Sequence, residues 1–529
     1  MTVDVVISGG GPNGLMLACE LGLAGIKPIV LERLGAPSEE PKANGLLGQV
    51  VQLLDRRGLY ERLSGDSAPP RPNSAYFMFA AMALDLSLLD ESPVYSLAAP
   101  QHHIARVLEE RAVELGADVR RGHEVVGLAQ HEDSVTVDVA SPDGPYRLRA
   151  RYLVGADGAH SVTRKLSGIG FPGVTYDRTT SRAAHATVPP GWVDPATGAL
   201  TVPGYGTVQP FLPLRTERGG FSYAPFPGLP PLISSVEWDQ PETAGPMSTA
   251  EPMSIAELRA SVARVLAADL PLGPPAGPGP HVLRRLNGGN TRLADRFRDR
   301  RVFLVGDAAH IYTAGGGPGL NLGLQDAANL GWKLAADLRG GAPTGLLDSY
   351  ETERRQAADR MITYARAQSA LSAPGGDVTA LRELFTELLR DRDTVERLAA
   401  LTAGADIRYD IGEFTHPLIG RFAPDIAMRT ARGAVRLAEL TRTARPLLLD
   451  RTDDHRLARA LPEWRGEVDI VTADPQSGSP TALLLRPDGY VAWATAAPQP
   501  KPAERQALRA ALARWVRPIH HTESASSPN

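Results

Sequence analysis

A strand, a glycine-rich turn and a helix open this chain in that order, and no other local feature restricts its fold as strongly. The apolar run Val3-Asp4-Val5-Val6-Ile7 leads into Gly9-Gly10-Gly11-Pro12-Asn13-Gly14, and Leu15-Met16-Leu17-Ala18-Cys19-Glu20-Leu21 follows with helical character. Gly9 permits the turn, Gly11 lets a pyrophosphate approach the backbone, and Gly14 lets helix and strand pack closely. The helix N-terminus offers N–H groups and a positive dipole end to an anion. The helix closes at Gly25, and the next strand, Pro28-Ile29-Val30-Leu31, ends on Glu32, near the spacing at which a carboxylate accepts hydrogen bonds from an adenosine ribose. A carboxylate there repels a ribose 2′-phosphate, so the site suits the adenosine of FAD or NAD rather than NADP.

Length, charge and cysteine content mainly exclude functions. At 529 residues the chain exceeds one ordinary domain, which predicts three or four units of about 100–200 residues. A net charge of −4 gives no broad attraction for nucleic acid or an anionic membrane, so neither is an expected partner. No apolar run approaches the roughly 18 residues that span a bilayer, and no basic stretch precedes the first strand, so a cytoplasmic protein is expected. The lone Cys19 cannot form an intramolecular disulfide, and its place on the first helix predicts a packed thiol. Cys/His spacing suggestive of zinc is missing, and no metal is expected.

Periodicity divides the rest. A helix-like stretch from Gln49 to Leu59 is closed by the break Pro69-Pro70-Arg71-Pro72. Residues 74–96 are short and strand-like, and Gln101 to Leu115 returns to helical spacing with Ile104, Val107, Leu108 and Ala112 on one face. The alternating Val135-Thr136-Val137-Asp138-Val139 meets the turn Asp143-Gly144, which predicts a hairpin returning to the first sheet. From Phe171 to about Pro280, proline, glycine and aromatics with pieces such as Phe221-Ser222-Tyr223 and Val236-Glu237-Trp238 predict a separate, mainly antiparallel sheet. Residues 345–400 read as helical, and the tail beyond Pro518 is polar.

Two distant segments also end a strand in acid and glycine. Leu153-Val154-Gly155-Ala156-Asp157-Gly158 is one; Val305-Gly306-Asp307-Ala308-Ala309-His310, followed by Gly315-Gly316-Gly317-Pro318-Gly319-Leu320-Asn321, is the other. In the latter, a strand delivers one carboxylate, then a backbone with few side chains lies flat against a planar ligand before a helix begins. Asp307 suits the hydroxyls of a polyol chain, and the helix start near Leu320 suits negative charge on a ring edge. A reduced, anionic flavin needs both.

In order, spacing and flanks these three segments resemble the fingerprints of the class A flavoprotein monooxygenases, the para-hydroxybenzoate hydroxylase family, over roughly the first three quarters of the chain. Lys42-Ala43-Asn44-Gly45-Leu46 and Leu54-Asp55-Arg56-Arg57-Gly58-Leu59 are similar to the branch that tailors aromatic polyketides. His416-Pro417-Leu418-Ile419-Gly420-Arg421 and Arg486-Pro487-Asp488-Gly489-Tyr490 resemble the thioredoxin-like C-terminal domain of that branch, here without Cys-x-x-Cys and so without redox chemistry. The resemblance implies an α/β fold. Its Rossmann-like FAD-binding domain would take residues 1–73, 97–170 and 281–400, a substrate-binding domain with a mainly antiparallel sheet 74–96 and 171–280, a thioredoxin-like domain 401–520, and a flexible tail 521–529.

Carried over residue by residue, it implies that Gly9, Gly11, Pro12, Asn13 and Gly14 cradle the pyrophosphate of tightly but non-covalently bound FAD. Glu32 would hold the adenosine ribose, with Arg33 at the adenine end and Val125 touching adenine. Lys42 stands where relatives often carry arginine. Gln101 would reach the ribityl-phosphate region, Asp157 and Gly158 would serve FAD and nicotinamide use, and Asp307 would bind ribityl hydroxyls. Pro318, Gly319, Leu320 and Asn321 would face the pyrimidine edge of the isoalloxazine. Thr313-Ala314 replaces a proline pair beside the flavin, and Ala314 and Gly315 are expected at the substrate. Phe211, Phe221, Tyr223, Phe226 and Trp238 are candidates to line its cavity. His160 and His310 read as structural hydrogen-bonders, and no protein nucleophile is expected.

Chemically, the resemblance implies that transient NADPH or NADH reduces FAD, that oxygen adds at flavin C4a, and that the hydroperoxide hydroxylates an electron-rich polycyclic ring of polyketide type. The expected partners are that small molecule and molecular oxygen, in a monomer or homodimer. Two alternatives stay open: Baeyer–Villiger insertion into a polyketide ketone, and a non-catalytic flavin-binding interaction protein.

Overall fold

Short apolar strands, each released by a glycine turn, assemble into an eight-stranded mixed sheet. Its order is Arg298–Asp299, Val302–Leu304, Tyr146–Gly155, Thr2–Ser8, Ile29–Glu32, Asp118–Arg121, and the predicted hairpin strand Val135–Ala140, with Glu124–Gln130 beside it, folds back onto Tyr146–Gly155. From Val302–Leu304 to Asp118–Arg121 every neighbouring pair is parallel. The computed structural model describes residues 2–38, 44–226, 228–239, 253–277, 279–313, 318–412, 415–459, 461–464, 466–475 and 480–516. Strands buried on both faces read as apolar runs, and Val5, Val6 and Ile7 are fully buried. Ser8 lies opposite Gly155 and Leu31, and Gly155 opposite Leu304, so these strands finish level and release their turns on one edge. That carboxyl edge is where open α/β sheets take ligands.

Helix Pro12–Leu23 connects the first two parallel strands, and the long helix Pro318–Leu338 packs against it closely enough that a Cβ on Gly331 would lie 2.5 Å from Glu20 Cβ. Cys19 is a packed thiol here: its Sγ lies 3.4 Å from the Leu108 carbonyl, and burial, reinforced by Glu20, pushes it up from its ordinary value.

The second sheet is six-stranded and antiparallel, in the order Leu214–Thr216, Gly219–Ala224, Leu232–Trp238, Gly173–His185, Leu283–Leu293, His310–Ile311. It continues past residue 280, where composition placed its end. The proline-rich stretch before that point is a connection within the sheet, because Leu283–Leu293 returns to pair along Gly173–His185. Residues 74–96, expected in the same domain, lie off this sheet. Tyr76–Phe79 and Met82–Asp85 form their own hairpin, and Phe79 spends its ring on Tyr364 and Phe385, at 5.8 and 5.9 Å, from helices Asp348–Ser372 and Gly376–Leu388. One face of the six-stranded sheet packs on helix Ile255–Leu266 through Phe221, Tyr223 and Ile233, with buried Glu237 accepting from Arg182, Arg264 and Ser261.

A C-terminal sheet runs Asp469–Thr472, Leu447–Asp450, Ala482–Leu485, Val491–Thr495, its first pair parallel and the others antiparallel, against helix Pro502–Trp515. This is a thioredoxin-like strand order without a cysteine. Buried charge docks it: Arg57 reaches Glu20 at 2.6 and 3.0 Å and the carbonyls of Thr441 and Pro487, while Glu353 receives Lys333, Asn329 and both terminal nitrogens of Arg486 at 2.7–2.8 Å. Burial pushes the Glu353 carboxyl up, but Arg486 and Lys333 outweigh it and hold it well below the usual carboxylate range. Burial likewise brings the Lys333 ammonium down to about 8.

Glu353→Gln strips buried Lys333 of its counter-charge and leaves Arg486 with Asp488 alone, and should lower the unfolding free energy near neutral pH by about 3–5 kcal/mol in urea denaturation. Because folding depresses this carboxyl, its contribution is complete above the ordinary value of 4.5 and is lost as the pH falls below it. The gap between the two proteins should therefore narrow in acid; a gap of constant size from about pH 7 to about pH 3 contradicts the assignment.

Candidate active site

The three turns leave the carboxyl edge side by side; the first two meet backbone to backbone, and a side chain of the first meets the third. A Cβ on Gly9, whose φ is +110°, would collide with the Ala156 carbonyl, and one on Gly14 with the Gly9 carbonyl. The Asn13 amide wedges against the third segment, where a Cβ on Gly306 (φ +58°) or Gly323 would collide with Asn13 Nδ2. A side chain at Gly9 drives the first two turns apart, one at Gly14 distorts the first turn, and one at Gly306 or Gly323 displaces Asn13. Gly11 is different, since a Cβ there meets nothing within 4 Å, and the same holds at Gly158.

Several groups face outward from this junction. Helix Pro12–Leu23 begins at Gly11 with no side-chain cap and no acidic residue in its first turn, so its leading N–H groups are available to an anion. Glu32, half-buried, accepts from the Gly10 amide at 2.7 Å and the Leu34 amide at 2.8 Å, with lone pairs left for hydroxyl donors. Asp157 turns its carboxylate to its own chain, accepting from Ser161 Oγ at 2.5 Å and from Thr163 N and Oγ1 at 2.9 and 3.0 Å, and so shapes the turn. Asp307 is exposed on the turn Gly306–Ala308 between two buried neighbours. A Cβ on Gly319, at the start of helix Pro318–Leu338, would lie 3.4 Å from Asp307 Oδ1, and that helix too begins without an acidic residue.

From Asp307 and Asn321 a cavity of about 840 Å³ extends between the second sheet and helix Asp348–Ser372. The sheet turns its other face to it, lined by Thr179, Ser181, Ser222, Ser234 and Trp238, with the Ser222 and Ser234 hydroxyl oxygens 2.5 Å apart. On the helix, Arg360, Tyr364 and Gln368 recur at one-turn spacing. Tyr312 OH, Thr313 Oγ1 and Asp406 Oδ1 are buried at this cavity with no hydrogen-bond partner, capacity that a polar ligand would meet. Burial, with Asp326 nearby, raises the Tyr312 hydroxyl well above its usual value and keeps it a neutral donor.

Residues 2–365 match the FAD binding domain family, and residues 416–518 match the family of the aromatic-ring hydroxylase C-terminal domain. The chain belongs to the FAD-dependent aromatic-ring monooxygenases. It is 40% identical over 532 residues to the 12-dehydrotetracycline 5-monooxygenase/anhydrotetracycline 6-monooxygenase of Streptomyces rimosus subsp. rimosus, across 98% of this chain and 99% of the relative. Rifampicin monooxygenase of Streptomyces venezuelae is 38% identical over 502 residues, across 93% and 95%. The solved structure of anhydrotetracycline hydroxylase from Streptomyces rimosus superposes with a TM-score of 0.82 at 38% identity, covering 97% of this chain and 99% of that one.

This member of the family is a flavin-dependent monooxygenase, and its residues fit FAD: the uncapped helix start at Gly11, the buried and unpartnered Asn13 Oδ1, and the open surface over Gly158 mark a ligand-shaped strip. Of the other residues expected at the cofactor, Arg33 is exposed beside Glu32, and Gln101 opens the helix Gln101–Glu114. Leu320 lies in the first turn of helix Pro318–Leu338, and Asn321 accepts from the Leu47 amide at 3.0 Å. Val125 buries its side chain beneath the sheet with Val6 and Leu31. Lys42, Ala314, Gly315 and the side chain of Pro318 lie outside the described residues.

The aromatic candidates separate by strand phase. Trp238 lines the cavity, and Phe221 borders it while packing its ring in the helix-side core; Tyr223 is buried in that core. Phe211 is exposed, in edge contact with Phe226 at 5.3 Å, and neither lines the cavity. The serines between the aromatics were overlooked, although the same alternation in the opposite phase marks them. His310 is buried with Nε2 2.7 Å from Asp326, and His160 is exposed.

Gly11→Ala tests the strip. With open space around the new methyl, the apoprotein should melt within about 2 °C of the parent, yet FAD affinity by fluorescence titration should fall roughly tenfold or more, as a Cβ intrudes on the pyrophosphate. Unchanged affinity would place the anion elsewhere.

Proposed function

We propose that this chain is an NAD(P)H-consuming monooxygenase that hydroxylates a polycyclic, oxygen-rich aromatic of polyketide type. The carrying observation is the cavity of about 840 Å³ that begins at Asp307 and Asn321 and is walled by hydroxyl groups on one side. Anhydrotetracycline and rifampicin, named for the relatives, support the substrate class.

When bound, FAD would supply the chemistry that activates dioxygen at the expense of NADPH or NADH. The chain does the rest. The amides of Gly11, Asn13 and Gly14 bind the pyrophosphate, Glu32 accepts from the ribose, and Asp307 accepts from the polyol chain. The start of helix Pro318–Leu338 lends positive potential to the pyrimidine edge of the ring system. Neutral Tyr312 and Thr313 offer hydrogen bonds to oxygens of the substrate, while Ser181, Ser222 and Ser234 fix its orientation from the sheet. Trp238 excludes water from the reacting ring.

FAD-loaded protein given NADPH or NADH, isotope-labelled dioxygen and a panel of polycyclic phenols should show substrate-stimulated nicotinamide oxidation and one labelled oxygen in a phenolic product. A product opened by alkaline hydrolysis assigns Baeyer–Villiger insertion instead. Peroxide without oxygenated product across the panel, a rearranged product without label, or a flavin spectrum that NADPH never bleaches anaerobically would each overturn the proposal. Ser222→Ala combined with Ser234→Ala should raise KM roughly three- to tenfold with little change in kcat, since those contacts are made equally in the ground and transition states.

A further inference from the structure

One buried carboxylate holds the turn that carries Asp307 at two points. Asp326, on helix Pro318–Leu338, is fully buried; its Oδ2 accepts from the Gly306 amide at 3.0 Å and lies 2.7 Å from His310 Nε2. Gly306 and His310 bracket Asp307 in the chain, so fixing both fixes the direction in which the exposed carboxylate points. Asp326 Oδ1 accepts from Arg354 Nε at 2.6 Å. Burial pushes the Asp326 carboxyl up, but His310 and Arg354 outweigh it and keep it charged.

Arg354 passes the constraint on. It is itself buried, and it donates through Nη2 to the Leu322 carbonyl at 3.1 Å and through Nη1 to the Tyr409 hydroxyl at 2.7 Å. Tyr409 belongs to the C-terminal side of the molecule. Its amide donates to the Gly420 carbonyl at 2.8 Å, and its ring stacks on Tyr490 with centroids 4.1 Å apart and planes 24° off parallel. Behind the pair, the Arg486 guanidinium lies 5.5 Å from the Tyr409 ring and 4.5 Å from that of Trp515, anchored by Glu353 at 2.7 Å. A continuous run of buried, directional contacts therefore joins the C-terminal sheet to the Asp307 turn. A pair packed only by apolar surface would tolerate sliding; these bonds do not.

We propose that Tyr409, backed by Tyr490 and Arg486, is a positioning residue that acts through Arg354 and Asp326 to aim Asp307 at the cofactor, so that the cysteine-free C-terminal domain is a buttress of the flavin site. The inference rests on the reading of Asp307 as a ligand of FAD. It accounts for a thioredoxin-like domain that keeps the fold and has no thiol: what the site takes from it is a fixed phenol oxygen.

Tyr409→Phe removes that oxygen and leaves the ring on Tyr490. Apoprotein of this variant, titrated with FAD, should show roughly a five- to tenfold higher dissociation constant and an altered visible envelope of the bound flavin. Arg354→Lys keeps the charge beside Asp326 but lacks the planar fork that reaches Tyr409 and Leu322 together, and should give the same signature; the double variant should add little to either. Leu449→Val, in the core of the C-terminal strand Leu447–Asp450, provides the structural comparison: it lowers the melting temperature with FAD affinity and spectrum unchanged. Wild-type affinity and spectrum in Tyr409→Phe, or a loss no larger than that of Leu449→Val, would overturn the buttress while leaving the cofactor site intact. A parent protein that itself fails to bind FAD would instead remove the reading on which the inference stands.

Discussion

The carboxyl edge of the first sheet works only because backbone meets backbone there. A carbon added at Gly9 would meet the Ala156 carbonyl, one at Gly14 the Gly9 carbonyl, and one at Gly306 or Gly323 would displace the Asn13 amide. These contacts bring together turns that lie at opposite ends of the first two thirds of the chain. Loop closure over such separations costs entropy before any contact returns it. The cofactor strip is therefore a property of the completed domain, and a ligand that bridges all three turns stabilises the very arrangement that binds it.

A second layer of constraint is electrostatic. Glu20 with Arg57, Asp326 with Arg354, and Glu353 with Arg486 and Lys333 all lie out of water. Burying such charges is expensive, and the attraction between them compensates only when geometry is good and remaining donors and acceptors are met. Here the carbonyls of Thr441, Pro487 and Leu322 and the Tyr409 hydroxyl take the spare guanidinium protons. Buried ion pairs add little net stability over apolar packing, and these directional bonds fix how the C-terminal domain sits.

The parts of this organisation visible in the sequence were those where chemistry demands a residue type at a fixed spacing. The glycine turn, Glu32 closing the second strand and the Gly306-Asp307 turn are of that kind. Strand phase was harder. In Phe221-Ser222-Tyr223 the aromatic positions suggest a ligand wall, but the sheet has helix Ile255–Leu266 on one side and a cavity on the other, and apolar side chains gain most on the helix side. Serine then faces the ligand. The proline-rich stretch near residue 280 looked like a domain boundary because proline marks chain direction changes regardless of whether the chain leaves the sheet or returns to it. The Asp326–Arg354–Tyr409 run was hidden for a third reason: its members are far apart in the chain, and nothing in their local spacing reports that they meet.

The two faces of the antiparallel sheet obey different masters. Ile233, Ser235 and Glu237 answer to the helix behind, whereas Ser234, Val236 and Trp238 answer to whatever enters in front. Since neighbours along a strand point opposite ways, the forward set can drift in size and polarity without eroding the foundation. Such a scaffold can acquire new molecular tastes one residue at a time, and descendants with divergent diets can keep a common frame.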